Sequence, residues 1–147
     1  LNEDEIDQHL NKQSIDEDNT VSINILNKDR KPAHSFSIGE TMIIEASWKK
    51  LDVIESVGVN IFKRSGEHIS GHNTRFDDSL KNVNNLNSVS IEYKLNISPG
   101  SYFVFSEVFK REGHAYSQKF DGPSFVVRST ETPTWSGLLD LPHVWKR

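Results

Sequence analysis

Short runs of β-branched and aromatic residues, alternating with polar ones and cut by turn residues, recur from Thr20 to Arg128 and constrain the fold more than any other feature. A period of two puts one set of side chains on one face of a strand. Val21, Ile23 and Ile25 share such a face in Val21–Leu26, and Met42, Ile44, Ala46 and Trp48 share one in Thr41–Trp48. Val57, Val59 and Ile61 share a third in Val57–Lys63, where a turn at Arg64–Glu67 predicts an antiparallel return through His68–Gly71. Beyond a polar stretch, Phe76–Asn87, the segment Val89–Ile97 places Val89, Ile91, Tyr93 and Leu95 together. Pro99 and Gly100 suit a tight turn into Ser101–Phe109. Turns at Arg111–Gly113 and Asp121–Pro123 then introduce strands at Tyr116–Phe120 and Phe125–Arg128. About eight short strands with no convincing amphipathic helix predict an all-β antiparallel sandwich, of jelly-roll or immunoglobulin-like type.

The 147 residues suit one domain, and a chain of this size can bury a core without disulfides or metal. The absence of cysteine excludes a disulfide framework, Cys-ligated zinc and thiol chemistry, and fits a reducing compartment. The net charge of −4 is unevenly spread. Residues 1–20 hold seven acids and one base, leaving 16 basic against 14 acidic residues in 21–147. That balance gives no basic field for nucleic acid and no polybasic anchor for a membrane surface. Residues 1–20 read as an acidic linker or leader, with Ile6 and Leu10 spaced for a short helical turn around Glu3–Leu10. Neither a signal peptide nor a spanning stretch is read, and a first residue of Leu1 suggests an excised C-terminal piece. Residues 21–128 are expected to form the sandwich. A polar spacer after Arg128 leads into a tail, within 129–147, that carries Trp135, Leu138, Leu139, Leu141 and Trp145. So apolar a tail is expected to pack on the domain or on a second copy.

Several motifs in this order resemble a known family. Phe36, Gly39 and Glu40 lead into Met42–Trp48; Val57–Phe62 precedes Gly66; Gly71–Thr74 follows; Ser98–Tyr102 opens the next strand; and Gly137–Pro142 is followed by Trp145. Over about residues 20–147 this is similar to the C-terminal carbohydrate-binding domain of Wzt-type ATP-binding subunits, which belong to ABC transporters exporting O-antigen polysaccharides. The resemblance implies a jelly-roll sandwich joined by a linker to an ATPase domain, on the cytoplasmic side of the inner membrane. It also implies recognition of the terminal residues of a finished glycan, work beside a membrane permease, and homodimers in which the last strand can cross to the partner. No cofactor is expected.

Sugar recognition needs polar groups for hydroxyls and a flat aromatic surface for C–H faces. If Tyr102, Val104 and Val108 point inward, Phe103, Phe105, Glu107 and Phe109 point out, and Asn60 and Phe62 face out when Val59 and Ile61 face in. Phe103, Phe105, Glu107, Asn60 and Phe62 thus make a candidate glycan platform; the alternative is a strand covered on both faces by the tail or a partner. His72, Asn73 and Arg75 form a dense polar cluster able to bind hydroxyls or an acidic sugar, though Asn73 and Thr74 also suit loop capping. His114 and Tyr116 are candidate rim contacts beside a hairpin turn. Trp48 is assigned to the core, and Trp135 and Trp145 to anchoring the tail.

Enzyme readings find no support. His68 and His72 share a face only if the strand runs unbroken through Gly71, and no further ligands complete a cupin-like metal set. Asp77 and Asp78 lack the alternating pattern of a calcium loop. No nucleophile elbow or phosphate-cradling glycine loop occurs. The sequon at Asn96–Ser98 is irrelevant to a cytoplasmic domain. A binding module is therefore the expectation, with a dimerisation or interaction module as the alternative.

Overall fold

The computed structural model describes residues 21–49, 54–77, 83, 86–129 and 135–147. The acidic leader, with the helical turn expected around Glu3–Leu10, lies outside the described residues, as does Asp78. Eight strands follow one another: β1 (Ser22–Leu26), β2 (Ser35–Ser37), β3 (Thr41–Ser47), β4 (Ile54–Lys63), β5 (His68–Asn73), β6 (Ser88–Lys94), β7 (Gly100–Glu112) and β8 (His114–Arg128). They form two sheets, β1-β3-β6 facing β2-β8-β7-β4-β5. Of the two sandwich types expected, this is the immunoglobulin-like order. Tyr102, at the start of β7, donates its hydroxyl to the Ser98 carbonyl four residues upstream at 2.5 Å, the corner that pins such a strand to the turn before it.

The alternation read from the sequence holds the core together. Ile23, Ile25, Met42, Ile44 and Ala46 from the small sheet meet Val57, Val59, Ile61, Tyr102, Val104, Val108, Phe120, Phe125 and Val127 from the large one. Trp48 belongs to the same core. Two buried polar side chains within the sandwich are satisfied: the Ser106 hydroxyl donates to the Gly58 carbonyl at 2.7 Å, and Lys110 Nζ donates to Gln118 Oε1 at 2.8 Å. Lys110 also lies 5.0 Å from the centre of the Phe120 ring.

Two expectations about strands are corrected. The segments expected at Tyr116–Phe120 and Phe125–Arg128 are one strand, β8, paired along its length with β7. Asp121, Gly122 and Pro123 do not turn the chain; they form a bulge, because Phe103 opposes Ser124 while Phe105 opposes Asp121. Gly122 is required there by close approach: a Cβ on it would stand 3.0 Å from Ile23 Cγ2 and 3.0 Å from the Val104 carbonyl. The strand left unread is β2, which pairs in parallel with the end of β8, Phe36 opposite Val127. Its three residues are too short for periodicity to register.

The tail begins to pair with the domain. Ile97 and Leu139 form an antiparallel bridge, Ser98 N–H donates to the Leu138 carbonyl at 2.8 Å, and Asp140 N–H donates to the Asn96 carbonyl at 3.1 Å. Trp135 and Leu138 are half-buried. Leu139, Leu141 and Trp145 are exposed.

Candidate functional site

The outer face of the large sheet collects side chains from four adjacent strands, and the register orders them in rows. His68, Phe62, Phe103 and Ser124 form one row; Gly71, Asn60, Phe105 and Asp121 the next; Asn73, Gly58, Glu107 and Lys119 the third. The first row is aromatic. Phe62 stacks on His68 with centroids 4.6 Å apart, and lies 5.6 Å from Phe103 and 5.2 Å from Phe105. Apart from Phe105, rows two and three carry polar side chains, and each holds a glycine beside a bulkier neighbour. A Cβ on Gly71 would stand 2.8 Å from Asn60 Oδ1, and one on Gly58 would stand 3.1 Å from Asn73 Nδ2. The glycines therefore let two carboxamides lie flat against the sheet, beside the exposed Glu107 carboxylate. Lys119 reaches back over the Phe105 ring at 4.0 Å from its centroid. The result is a shallow floor bearing carboxamide, carboxylate and ammonium groups against an aromatic border.

A second feature lies between the sheets, where edge strand β6 faces edge strand β5. A cavity of about 360 Å³ opens there, walled by Ile44, Val57, Val59, Val89 and Ile91 and rimmed by His72, Asn73 and Ser90. His72 Nδ1 and the Tyr93 hydroxyl are hydrogen-bonded across the gap at 3.1 Å, joining the two sheets. Burial pushes the Tyr93 phenol up to about 12.

Comparison with known proteins decides the family, for residues 19–141 match the family model described as the Wzt C-terminal domain. The chain belongs to the Wzt C-terminal domain family. No curated protein matches it. A crystal structure of the C-terminal domain of Wzt is similar in fold, with a TM-score of 0.59 at 12% identity over 85% of this chain and 80% of that one. The soluble domain of PmoD from Methylocystis sp. overlaps more loosely, with a TM-score of 0.43 at 12% identity over 75% of this chain and 92% of that one. Membership places the chain among non-catalytic domains of ABC-transporter subunits. No helix among the described residues is long and apolar enough to cross a membrane.

In this Wzt C-terminal domain the residues expected to form a site divide among three places. Asn60, Phe62, Phe103, Phe105 and Glu107 do share the outer face. The open aromatic platform expected of them is corrected, however: Phe103 is 2% exposed and Phe105 is 9% exposed, forming a small cluster of their own with Phe62 packed against them. Phe62 lies against both rings, Lys119 covers Phe105 and His68 stacks on Phe62, so the border offers Phe62 and His68 in place of three bare phenylalanines.

His72 stands apart from that face. It opposes Val59, on the inner side, and bonds to Tyr93 at the cavity mouth, so it is not part of the outer face. The cause is a register shift between Ile61 and Phe62, which leaves His68 outward and His72 inward. The two histidines stand on opposite faces.

Asn73 and Thr74 act as caps. The Asn73 carboxamide accepts from Arg75 N–H at 3.0 Å, opening the short 3₁₀ turn Thr74–Phe76, and the Thr74 hydroxyl accepts from Val57 N–H at 3.0 Å. Arg75 lies 4.7 Å from the Phe109 ring centre and 4.9 Å from that of Phe76.

His114 and Tyr116 sit at the tip of the β7–β8 hairpin with their rings 5.8 Å apart. Tyr116 opposes Lys110 and His114 opposes Glu112, which by alternation is the face opposite Glu107. They do not join the outer-face set.

Sequence reasoning missed His68 and Lys119. Lys119 was legible in principle as the cross-strand partner of Glu107, once β8 is known to run unbroken beside β7.

Proposed function

We propose that this domain is a non-catalytic carbohydrate-binding module that recognises the terminal residues of an O-antigen polysaccharide for export by an ABC transporter. The observation that carries the reading is the outer face itself. Asn60, Asn73, Glu107 and Lys119 supply donors and acceptors for vicinal hydroxyls, and Phe62 with His68 supplies a stacked ring surface at their side. The glycines Gly58 and Gly71 keep the floor low enough for a sugar ring to reach the carboxamides. Such a site is shallow, so affinity is modest, and multiplicity in a homodimer would raise it. In this reading residues 21–128 are the binding unit, residues 1–20 link to an ATPase domain of a longer chain, and the assembly works in the cytoplasm against a membrane permease.

Titration of the domain with its cognate O-polysaccharide, followed by NMR amide shifts, tests this. Shifts should concentrate on β4, β5 and β7, and Glu107→Gln should weaken binding by about tenfold, the loss of one charge-assisted hydrogen bond. Saturating glycan with no shift on this face would reject the site. No binding at all would reject the function.

The alternative reading is an interaction module whose outer face meets protein in place of sugar. Glycan binding by the isolated domain separates the two.

A further inference from the structure

The outer face has a fourth row, and a cation stands on it. Beyond Asn73, Gly58, Glu107 and Lys119, the register brings Ser56, Phe109 and Ser117 into line. Arg75, in the short 3₁₀ turn after β5, lies over that row. Its guanidinium carbon is 4.7 Å from the centre of the half-buried Phe109 ring and 4.9 Å from that of the exposed Phe76. Two rings thus fix where an exposed cation stands.

What that guanidinium lacks is an acceptor. Arg30 is paired with Glu45 at 2.6 Å, and Arg111, two residues along β7 from Phe109, is paired with Glu55 at 2.5 Å. Arg75 makes no ion pair among the described residues, Asp77 included, and its side chain donates no hydrogen bond there. The ring contacts hold its charge in place, while its planar N–H fork, shaped for a carboxylate or a phosphate, stays unspent.

Asn73 adds a second donor beside it. The carboxamide oxygen accepts from Arg75 N–H at 3.0 Å, which sets the orientation of the amide. Its Nδ2 therefore lies over Gly58, 3.1 Å from where a Cβ on that glycine would stand. The carboxylate of the same row, Glu107, is two strands away, about 10 Å at sheet spacing, with Lys119 opposite it. The face is thus divided across its strands. Donors gather at the β5 edge, and the acceptor sits at the centre.

We propose that Arg75 and Asn73 Nδ2 form an anion subsite at the β5 edge of the outer face, and that the glycan recognised there is acidic, bearing a carboxylate or a phosphate. The inference rests on the carbohydrate-binding reading and narrows its ligand. Two acceptor oxygens of the anion take the guanidinium fork, and the Asn73 amide donates to the same group. Phe62 and Gly58 are four residues apart on β4, about 14 Å along the strand. No single sugar ring spans that length. The acidic group therefore belongs to a different residue of the glycan from the one lying against Phe62 and His68.

The test compares the cognate O-polysaccharide in three forms: native, carboxyl-reduced and dephosphorylated. The 147-residue chain should bind the native form about tenfold more tightly than one of the treated forms, and which one names the acidic group. Arg75→Gln should bind all three alike. Arg111→Gln, which removes a guanidinium already paired with Glu55, should keep the preference. In the unmutated chain, millimolar glucuronate or glucose 1-phosphate should shift the side-chain NMR signals of Arg75 Nε and Asn73 Nδ2, and glucose should not. Both treated forms binding as well as the native one would overturn the subsite and leave the binding module standing. A preference that survives Arg75→Gln, that is lost equally in Arg111→Gln, or side-chain signals unmoved by either acidic probe would overturn it too. No binding of the native polysaccharide would overturn the carbohydrate-binding reading itself, and the subsite with it.

Discussion

Gly71 faces Asn60 across the β4–β5 pair, and the Asn60 carboxamide oxygen occupies the space a Cβ on Gly71 would need, 2.8 Å from where that atom would stand. Gly71→Ala must therefore displace Asn60 from the floor of the outer face. Because the clash is with the end of an exposed-face side chain, stability should change by less than about 1 kcal/mol. Glycan affinity should fall several-fold. Thermal melting and titration of the same sample check both halves of the prediction.

Phe103 and Phe62 lie in one aromatic row but should respond differently to truncation. Phe103 is almost wholly buried, so Phe103→Ala should cost about 3 kcal/mol in chemical denaturation. Phe62 is half-buried and loses chiefly its ring contacts to His68, Phe103 and Phe105, so Phe62→Ala should cost about 1 kcal/mol. Phe62→Ala should nevertheless weaken sugar binding more than its stability cost suggests, since it removes the accessible ring.

Gly122→Ala tests the bulge. The added methyl would meet both the Val104 carbonyl and the Ile23 side chain at 3.0 Å, and the carbonyl cannot swing aside without breaking β7. Overpacking of this kind costs about 1–3 kcal/mol. A melting temperature unchanged from that of the parent would mean that β1 does not pack on β8 as described.

Tyr93 predicts an alkaline limit. Its phenol ionises near 10 in an unfolded chain and is pushed up to about 12 by burial in the folded one. Below pH 10 both states hold the proton and nothing is lost. Between pH 10 and 12 the unfolded chain releases it while the folded one retains it, so stability declines across that window. Tyr102 is shifted in the same direction, first by burial. Tyr93→Phe should flatten the decline in urea melts taken from pH 9 to 12, while losing the bond to His72 at every pH.

The fold was legible because strand alternation is a local property. Ile23, Ile25, Met42, Ile44, Val57, Val59 and Ile61 could be placed on the inner face from their spacing alone, and the core contains them. What defeated local reading was any place where the count changes. The bulge at Gly122 and Pro123 looked like a turn, because those residues are the ones a turn uses. The shift between Ile61 and Phe62 sets His68 on the outer side and His72 on the inner one, since a single extra residue reverses every side chain after it.

The site was legible in direction and not in exposure. Spacing put Phe103, Phe105 and Glu107 on the same outer face, and they are there. That Phe103 and Phe105 are covered while Glu107 is open depends on Phe62 and Lys119, which arrive from two other strands.

By itself the sequence determined that this chain makes a cysteine-free β-sandwich, and which side of most strands is oily, since both follow from residue type and a period of two. Only the tertiary structure decided which strands are neighbours, where the register slips and which outward rings meet water. Those depend on pairings between residues far apart in the chain, and no local pattern specifies a partner.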